Sequence, residues 1–324
     1  MIKRRAVGTV VLIANVAAAV ALAADSYPSR PVKLVVPFAP GGTTDIVARV
    51  VSQKVQGNFG QPMIVENRAG AGGVIGATDT ARAAPDGYNL GVATVSTIAT
   101  APAMDPNVPY DPVSDFTPII NIAATPNVIT VNPKFPVHDY NGFIAELKKN
   151  PGKYSYASTG TGSITHMQME LFKAKTGVSM VHVPYKGAGP ALNDEVAGHV
   201  LVMLDYLPSS LPYIQQGRLI PIVVAAEKRL AALPNVPTFA EVGVPEVNRM
   251  AFYGIYGPKG LPRDVVTKVH DAVKRTLDDP EVRERIEKTG SVVIANTPAE
   301  FAQQIKSEYE TYKKLTIDQK LKPE

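Results

Sequence analysis

The sequence predicts an α/β protein of two lobes, the second inserted within the first. Three observations carry that expectation. Short apolar runs suited to buried strands alternate with stretches of helical spacing, as strands and helices do in α/β domains. A second set of the same units begins near Asn127. The C-terminal third reads as mostly helical and needs a sheet to cover, and the first set has a face to spare. A chain of 324 residues is long enough for two moderate cores. The expected first lobe is 24–124 with 222–324, and the second is 125–221. Two crossing strands, near 120–130 and 217–227, would join them.

The elements follow in order. Val32-Lys33-Leu34-Val35-Val36 is a buried strand, and Pro37 to Asp45, with two glycines and two threonines, is a loop opening a helix. That helix places Ile46, Val47, Val50, Val51 and Val55 on one face. Met63 to Asn67 is a second strand, running into Arg68-Ala69-Gly70-Ala71-Gly72-Gly73 and a further helix. The turn signal Pro85-Asp86-Gly87 precedes a third strand, Tyr88 to Val95. In the second set, strand 127–131 and helix 139–149 lead to strand 154–157 and the loop Ser158-Thr159-Gly160-Thr161-Gly162-Ser163. Helix 164–175, strand 180–183, loop 184–187, one more helix, a strand at 200–204 ending on Asp205, and strand 219–225 complete it. Parallel sheets are expected. In the tail, Pro262 opens a helix striped by Val265, Val266, Val269, Ala272, Val273 and Leu277, and Gly290 ends the next one. Thr297-Pro298-Ala299-Glu300 is a capping box for a helix striped by Phe301, Ile305, Tyr309 and Tyr312.

Composition excludes several functions. With no Cys there is no disulfide scaffold, thiol nucleophile, Cys-bound zinc or iron–sulfur cluster. The net charge of +4 suggests nucleic acid until its location is examined. Lys3, Arg4 and Arg5 precede an apolar run to Leu22 and an Ala21-Leu22-Ala23 site, the layout of a secretory signal peptide cleaved near Ala23. Without residues 1–23 the charge is 30 basic against 29 acidic residues. No basic run interleaved with aromatics remains, so no nucleic-acid partner is expected, and the mature protein is expected to be soluble and exported.

Chemistry narrows by elimination. No G-x-S-x-G elbow occurs, although Ser163 and His166 lie close enough in sequence to suggest an exported hydrolase as an alternative. The five histidines, among them His138, His199 and His270, show no metal-ligand spacing, and no metal or other cofactor is expected. The phosphate-loop pattern fails for want of a Lys, and Gly70 to Gly76 matches the dinucleotide fingerprint only imperfectly. A repeated geometry remains: in both lobes a buried strand enters a loop rich in Gly and hydroxyls that opens a helix. Helix N-termini attract anions, glycines allow close backbone approach, and hydroxyls adapt. Two such loops facing one another across a hinge would hold both ends of a small dicarboxylate. The candidate ligand contacts are Phe38, Ala39, Gly41, Gly42 and Asp45 in the first loop and Ser158, Thr159, Gly162, Ser163 and His166 in the second. Thr94 and Ser96, Tyr185 and Asp205 join them. Asp45 would repel an anion, so fixing its own loop is the better use for it; Asp205 is a candidate partner for a ligand ammonium.

The motifs together resemble a family. Tyr27-Pro28-Ser29-Arg30-Pro31 leading to Val36-Pro37-Phe38-Ala39-Pro40-Gly41-Gly42-Thr43-Thr44-Asp45 is similar to the opening of the Bug/TctC extracytoplasmic solute receptors. Glu66 to Gly73, Pro85 to Tyr88, Val183 to Gly187, Leu233 to Gly243 and Pro258 to Pro262 resemble further family motifs in order. The resemblance implies a type II periplasmic-binding fold, with two lobes that close on a tricarboxylate, dicarboxylate, acidic amino acid or aromatic acid. It also implies a non-catalytic role and delivery to integral membrane subunits of a tripartite tricarboxylate-type transporter. Contacts through backbone, hydroxyls and ordered water fit loops that contain no Arg. The segment Ala191 to His199 departs from the family's usual run. The receptor is expected to be a periplasmic monomer, with a ligand-sensing envelope protein as another alternative.

Overall fold

The computed structural model describes residues 27–321, so the export signal read at 1–23 lies outside the described residues. Val32–Val36 (β1) pairs in parallel with Met63–Asn67 (β2) on one side and Asn89–Thr94 (β3) on the other. An unbroken apolar run suits this position, since β1 has cover on both faces. Thr43–Phe59 (α1) packs its Val47, Val51 and Val55 into the same core, and Val74–Ala81 (α2) follows β2. After β3 the backbone winds through a wide π turn, Ser96–Thr100, into the short helix Ala101–Met104 (α3).

Phe116–Thr125 (β4) belongs to the first sheet, and after Pro126 alone the chain continues as Asn127–Val131 (β5) in the second. The second sheet then receives Ser155–Ser158 (β6), Val181–Pro184 (β7), Val202–Tyr206 (β8) and Ile220–Ala225 (β9) in the order β7-β6-β8-β5-β9. Its helices are Tyr140–Lys149 (α4), Ile164–Thr176 (α5), Ala188–Ala197 (α6) and Leu207–Gln215 (α7). The boundary expected at 221/222 falls inside β9, which pairs with β5 on both sides of that point. The chain re-enters the first sheet only at Ala251–Pro258 (β10), and Val292–Val293 (β11) completes the order β11-β4-β10-β3-β1-β2.

Both sheets are mixed rather than parallel. β10 runs antiparallel to β3 and β4, and β5 runs antiparallel to β8 and β9. The physical reason is the path of the chain: β10 arrives from the other lobe, so no crossover helix dictates its direction. Arg263–Asp278 (α8), Pro280–Glu287 (α9) and Pro298–Asp318 (α10) cover the first sheet. Val265, Val269, Ala272, Val273 and Leu277 of α8 are buried, as are Phe301, Ile305 and Tyr312 of α10. Fully burying one such aliphatic side chain contributes roughly 1.5–3 kcal/mol. The Thr297–Glu300 capping box is formed at both bonds.

Candidate functional site

The C-terminal ends of β1, β2 and β3 face those of β6, β7 and β8, and their loops meet in a closed seam. Backbone, hydroxyls and glycines make the contact. Ala39 N–H donates to the Lys186 carbonyl at 3.0 Å. Thr43 Oγ1 lies 2.8 Å from Ser209 Oγ and accepts from Ser209 N–H at 3.2 Å. Thr100 Oγ1 donates to the Gly162 carbonyl at 2.7 Å, and Ile164 N–H donates to Ser96 Oγ at 3.1 Å. At two glycines a side chain would run into a carbonyl oxygen of the opposite lobe. A Cβ on Gly72 would sit 2.3 Å from the Thr161 carbonyl oxygen, and one on Gly189 would sit 2.1 Å from that of Pro40.

The first-lobe loop is anchored by a carboxylate. Asp45, in the first turn of α1, accepts from Gly41 N–H at 3.1 Å, from Asn67 Nδ2 at 3.0 Å and from Arg49 Nε at 3.0 Å. Asn67 also donates to the Phe38 carbonyl, closing the loop from its other end. Burial pushes the Asp45 carboxyl up, but the side-chain bonds from Arg49 and Asn67 and the Gly41 N–H outweigh it and hold it below the ordinary range. The N-cap of α1 is Gly42, which supplies no side-chain cap, so the helix presents bare backbone donors beside Thr43 and Thr44.

The second-lobe loop is anchored by neutral groups. Ser158 Oγ accepts from Gly160 N–H at 3.1 Å and lies 2.7 Å from His182 Nε2. Gly162 N–H donates to His166 Nδ1 at 3.2 Å, which puts the lone pair on Nδ1 and the ring proton on Nε2. The two imidazoles stack, with centroids 4.0 Å apart and planes 6° apart. Burial lowers both pKa values; His182 reaches about 4, with the neighbouring His166 as its second cause. Thr159 N–H is held by Thr165 Oγ1.

The structure brings most of the sequence-predicted residues to this seam. Phe38, Ala39, Gly41, Gly42, Ser96, Ser158, Thr159, Gly162, Ser163 and His166 lie on its loops. Thr94 stands behind them, its N–H on Thr97 Oγ1. Tyr185 donates its N–H to the Ser158 carbonyl and its hydroxyl to Asp194, which leaves the ring at the rim. Asp205 is fully buried under α7, where Oδ2 accepts from Ser209 and Ser210 at 2.7 and 2.6 Å and Oδ1 has no partner. Burial raises its pKa to about 6, against the pull of those two hydroxyls. Ser163 and His166 do not form a nucleophile–base pair. Ser163 Oγ accepts the backbone N–H of His166 as an N-cap, while the imidazole is engaged by Gly162. Thr43, Gly72, Thr100, Ser209 and Ser210 were not among the candidates. Pro208-Ser209-Ser210 after a strand is a third strand-to-hydroxyl-to-helix passage, masked in the sequence by its prolines. Among the described residues no group of three or more His, Asp or Glu side chains could hold a metal ion, and no helix is long and apolar enough to cross a membrane.

Comparison with known proteins agrees with this architecture. A family model described as "Tripartite tricarboxylate transporter family receptor" matches residues 47–321. Protein BugT of Bordetella pertussis is 35% identical over 289 residues, covering 89% of each chain. A solved structure described as a periplasmic transporter is 51% identical, with a TM-score of 0.90 over 92% of this chain and 99% of its own. MatC from Rhodopseudomonas palustris with bound malate is 34% identical, with a TM-score of 0.86 over 89% and 99% of the two chains. A second R. palustris protein, solved with adipate, is 33% identical, with a TM-score of 0.88 over 92% and 100%. A two-lobed α/β fold and a family match along most of the sequence have one meaning: this chain belongs to the TctC/Bug family of periplasmic solute-binding receptors, which are not enzymes.

Proposed function

We propose that this receptor captures a small carboxylate between its lobes and delivers it to the integral membrane subunits of a tripartite tricarboxylate-type transporter. The candidate ligands are a dicarboxylate of the malate or adipate kind, a tricarboxylate, or an acidic amino acid such as glutamate or aspartate. The observation that carries the reading is the N-terminus of α1, with no side-chain cap and opening on the seam beside Thr43, Thr44 and the Ser209 hydroxyl. Backbone donors of a long helix stabilise an anion, and surrounding hydroxyls complete its shell directly or through water. The relatives solved with malate and adipate support the ligand class. Contacts are assigned to the Phe38–Gly42 and Ser158–His166 loops, with Asp45 holding the first. The protein is taken to act as a periplasmic monomer.

A thermal-shift panel of malate, adipate, succinate, citrate, glutamate and aspartate, on protein unfolded and refolded to strip carried-over ligand, tests the reading. A specific ligand at 100 times its Kd adds about 2.7 kcal/mol of stability. No shift with any of the six acids would refute it.

A further inference from the structure

We infer that His166 and His182 are positioning residues for closure: as a neutral stacked pair they hold the second-lobe loop in the shape that the first lobe closes on, and protonating His166 releases it. Two of the bonds that hold the loop run through this pair. Gly160 is held through Ser158 to His182, and Gly162 is held directly by His166 Nδ1. The same Gly162 offers its carbonyl to Thr100 of the first lobe, and Thr161, beside it, abuts Gly72. Whatever fixes Gly162 therefore fixes the surface that the first lobe meets.

The grip at Gly162 demands an uncharged ring. A proton on His166 Nδ1 would face the Gly162 N–H, donor against donor, and the bond would be lost. A charge on either ring also opposes a charge on the other across 4.0 Å. His166 is fully buried, and its Nε2 has no hydrogen-bond partner. The charged and titratable groups facing the pair are few. Glu170 of α5 favours protonation, Lys173 of the same helix opposes it, and Tyr156 of β6 stacks on His182 at 5.0 Å. Glu170 is already engaged by Lys173 at 2.7 Å and by the Tyr156 hydroxyl at 2.6 Å. Burial lowers both histidines, consistent with a pair that stays neutral near pH 7. Closure in acid must then expel a proton, so ligand capture weakens as pH falls.

The ligand arm of this inference rests on the proposed carboxylate receptor; the loop arm does not. The loop arm is an NMR titration of the ligand-free receptor from pH 7.5 to 4.5, following the five histidine rings and the glycine amides. His166 should hold its proton on Nε2 at pH 7, and when it titrates, in the acid range, the Gly162 amide should move in the same step. Titration near pH 6.5 that leaves the Gly162 amide unmoved would overturn the inference. The ligand arm measures malate and adipate affinity between pH 7 and 5. The wild type should lose affinity toward a limiting slope of about tenfold per pH unit. In His166→Asn the amide Oδ1 takes the place of Nδ1 and cannot be protonated, so the slope should flatten whatever the affinity at pH 7. Asp205→Asn should keep the slope, which separates it from the other buried titrating group at the seam. A wild-type slope in His166→Asn, or wild-type binding that tightens in acid, would overturn the inference. If neither acid binds at any pH, those ligands are excluded and the NMR titration still decides the loop.

Discussion

In the first lobe the loop ahead of α1 is fastened by a charge, Asp45, whereas in the second the loop ahead of α5 is fastened by two neutral rings. The passages are otherwise alike: a buried strand, glycines, hydroxyls and a helix start. The carboxylate of Asp45 is engaged by Arg49 and Asn67 as well as by Gly41 N–H, so its negative charge is answered within its own lobe. The second loop has no such outlet and uses groups without charge. For the carboxylate ligand proposed above, both solutions serve alike, since neither anchor leaves a bare negative charge on its loop. It also follows that the two lobes answer acid differently.

The largest expected effect is on the charged anchor. Asp45→Ala leaves Gly41 N–H, the Asn67 amide and the Arg49 guanidinium without their common acceptor, and should cost about 2–4 kcal/mol. Urea unfolding with an unchanged m-value measures this; a midpoint equal to wild type would show that the loop needs no ionic anchor. Acid should separate the loops next. His166 and His182 have pKa values below the ordinary 6.5, so the folded state binds fewer protons. Their contribution is complete above that value and is lost as pH falls toward about 4. The Asp45 carboxyl lies below its ordinary 3.8, so its contribution persists until pH drops beneath that value. Amide exchange near pH 5 should therefore show Gly162 losing protection while Gly41 keeps it; equal losses would erase the contrast.

Smaller effects come from the seam. Gly72→Ala meets the Thr161 carbonyl and holds a φ of 61°, so the closed form should be disfavoured by about 1–3 kcal/mol. Because the sequence has no Cys, spin labels on cysteines introduced at Gln56 and Lys149 can report the distance between lobes. An unchanged distance distribution would mean that the loops part elsewhere. Thr43→Val removes a hydroxyl that both donates and accepts across the seam, worth about 1–2 kcal/mol of closure. Its signature is weaker ligand binding at unchanged unfolding stability, and a loss of both would place Thr43 in the core of its own lobe.

The strands and helices from Val32 to Thr94 were legible because their apolar runs are short and clear and their turns carry Gly and Pro, whereas the turn and short helix between Ser96 and Met104 were not. β10 was not legible. Its Phe-Tyr-Gly-Ile-Tyr-Gly stretch has glycines at Gly254 and Gly257, which read as breaks. They are needed in a central strand because the Phe301 ring and Leu261 occupy the space a Cβ would take, each at 2.3 Å. Helix α7 was missed because Pro208 and Pro212 look like helix breakers. Pro208 sits in the first turn, where the absent N–H is not missed. With α7 hidden, Ser209 and the Thr43 contact were hidden too. The Asp45 anchor was legible from charge alone, since an acid at a helix start in an anion site needs another use. The role of His182 was not, because twenty-four residues separate it from Ser158 and only strand pairing brings them together.

Only Pro126 separates β4 of one sheet from β5 of the other. Beside it Asn127 donates to Gln168 and to the Arg249 carbonyl, at the point where the chain returns to the first lobe. Gln168 donates to that same carbonyl at 2.8 Å. The outward and return strands of the chain are thus tied at one spot, the natural place for a hinge between the lobes. With the hinge there, the escape of a trapped solute would become a question of tempo, set by how often that spot turns and not by the atoms that touch the solute.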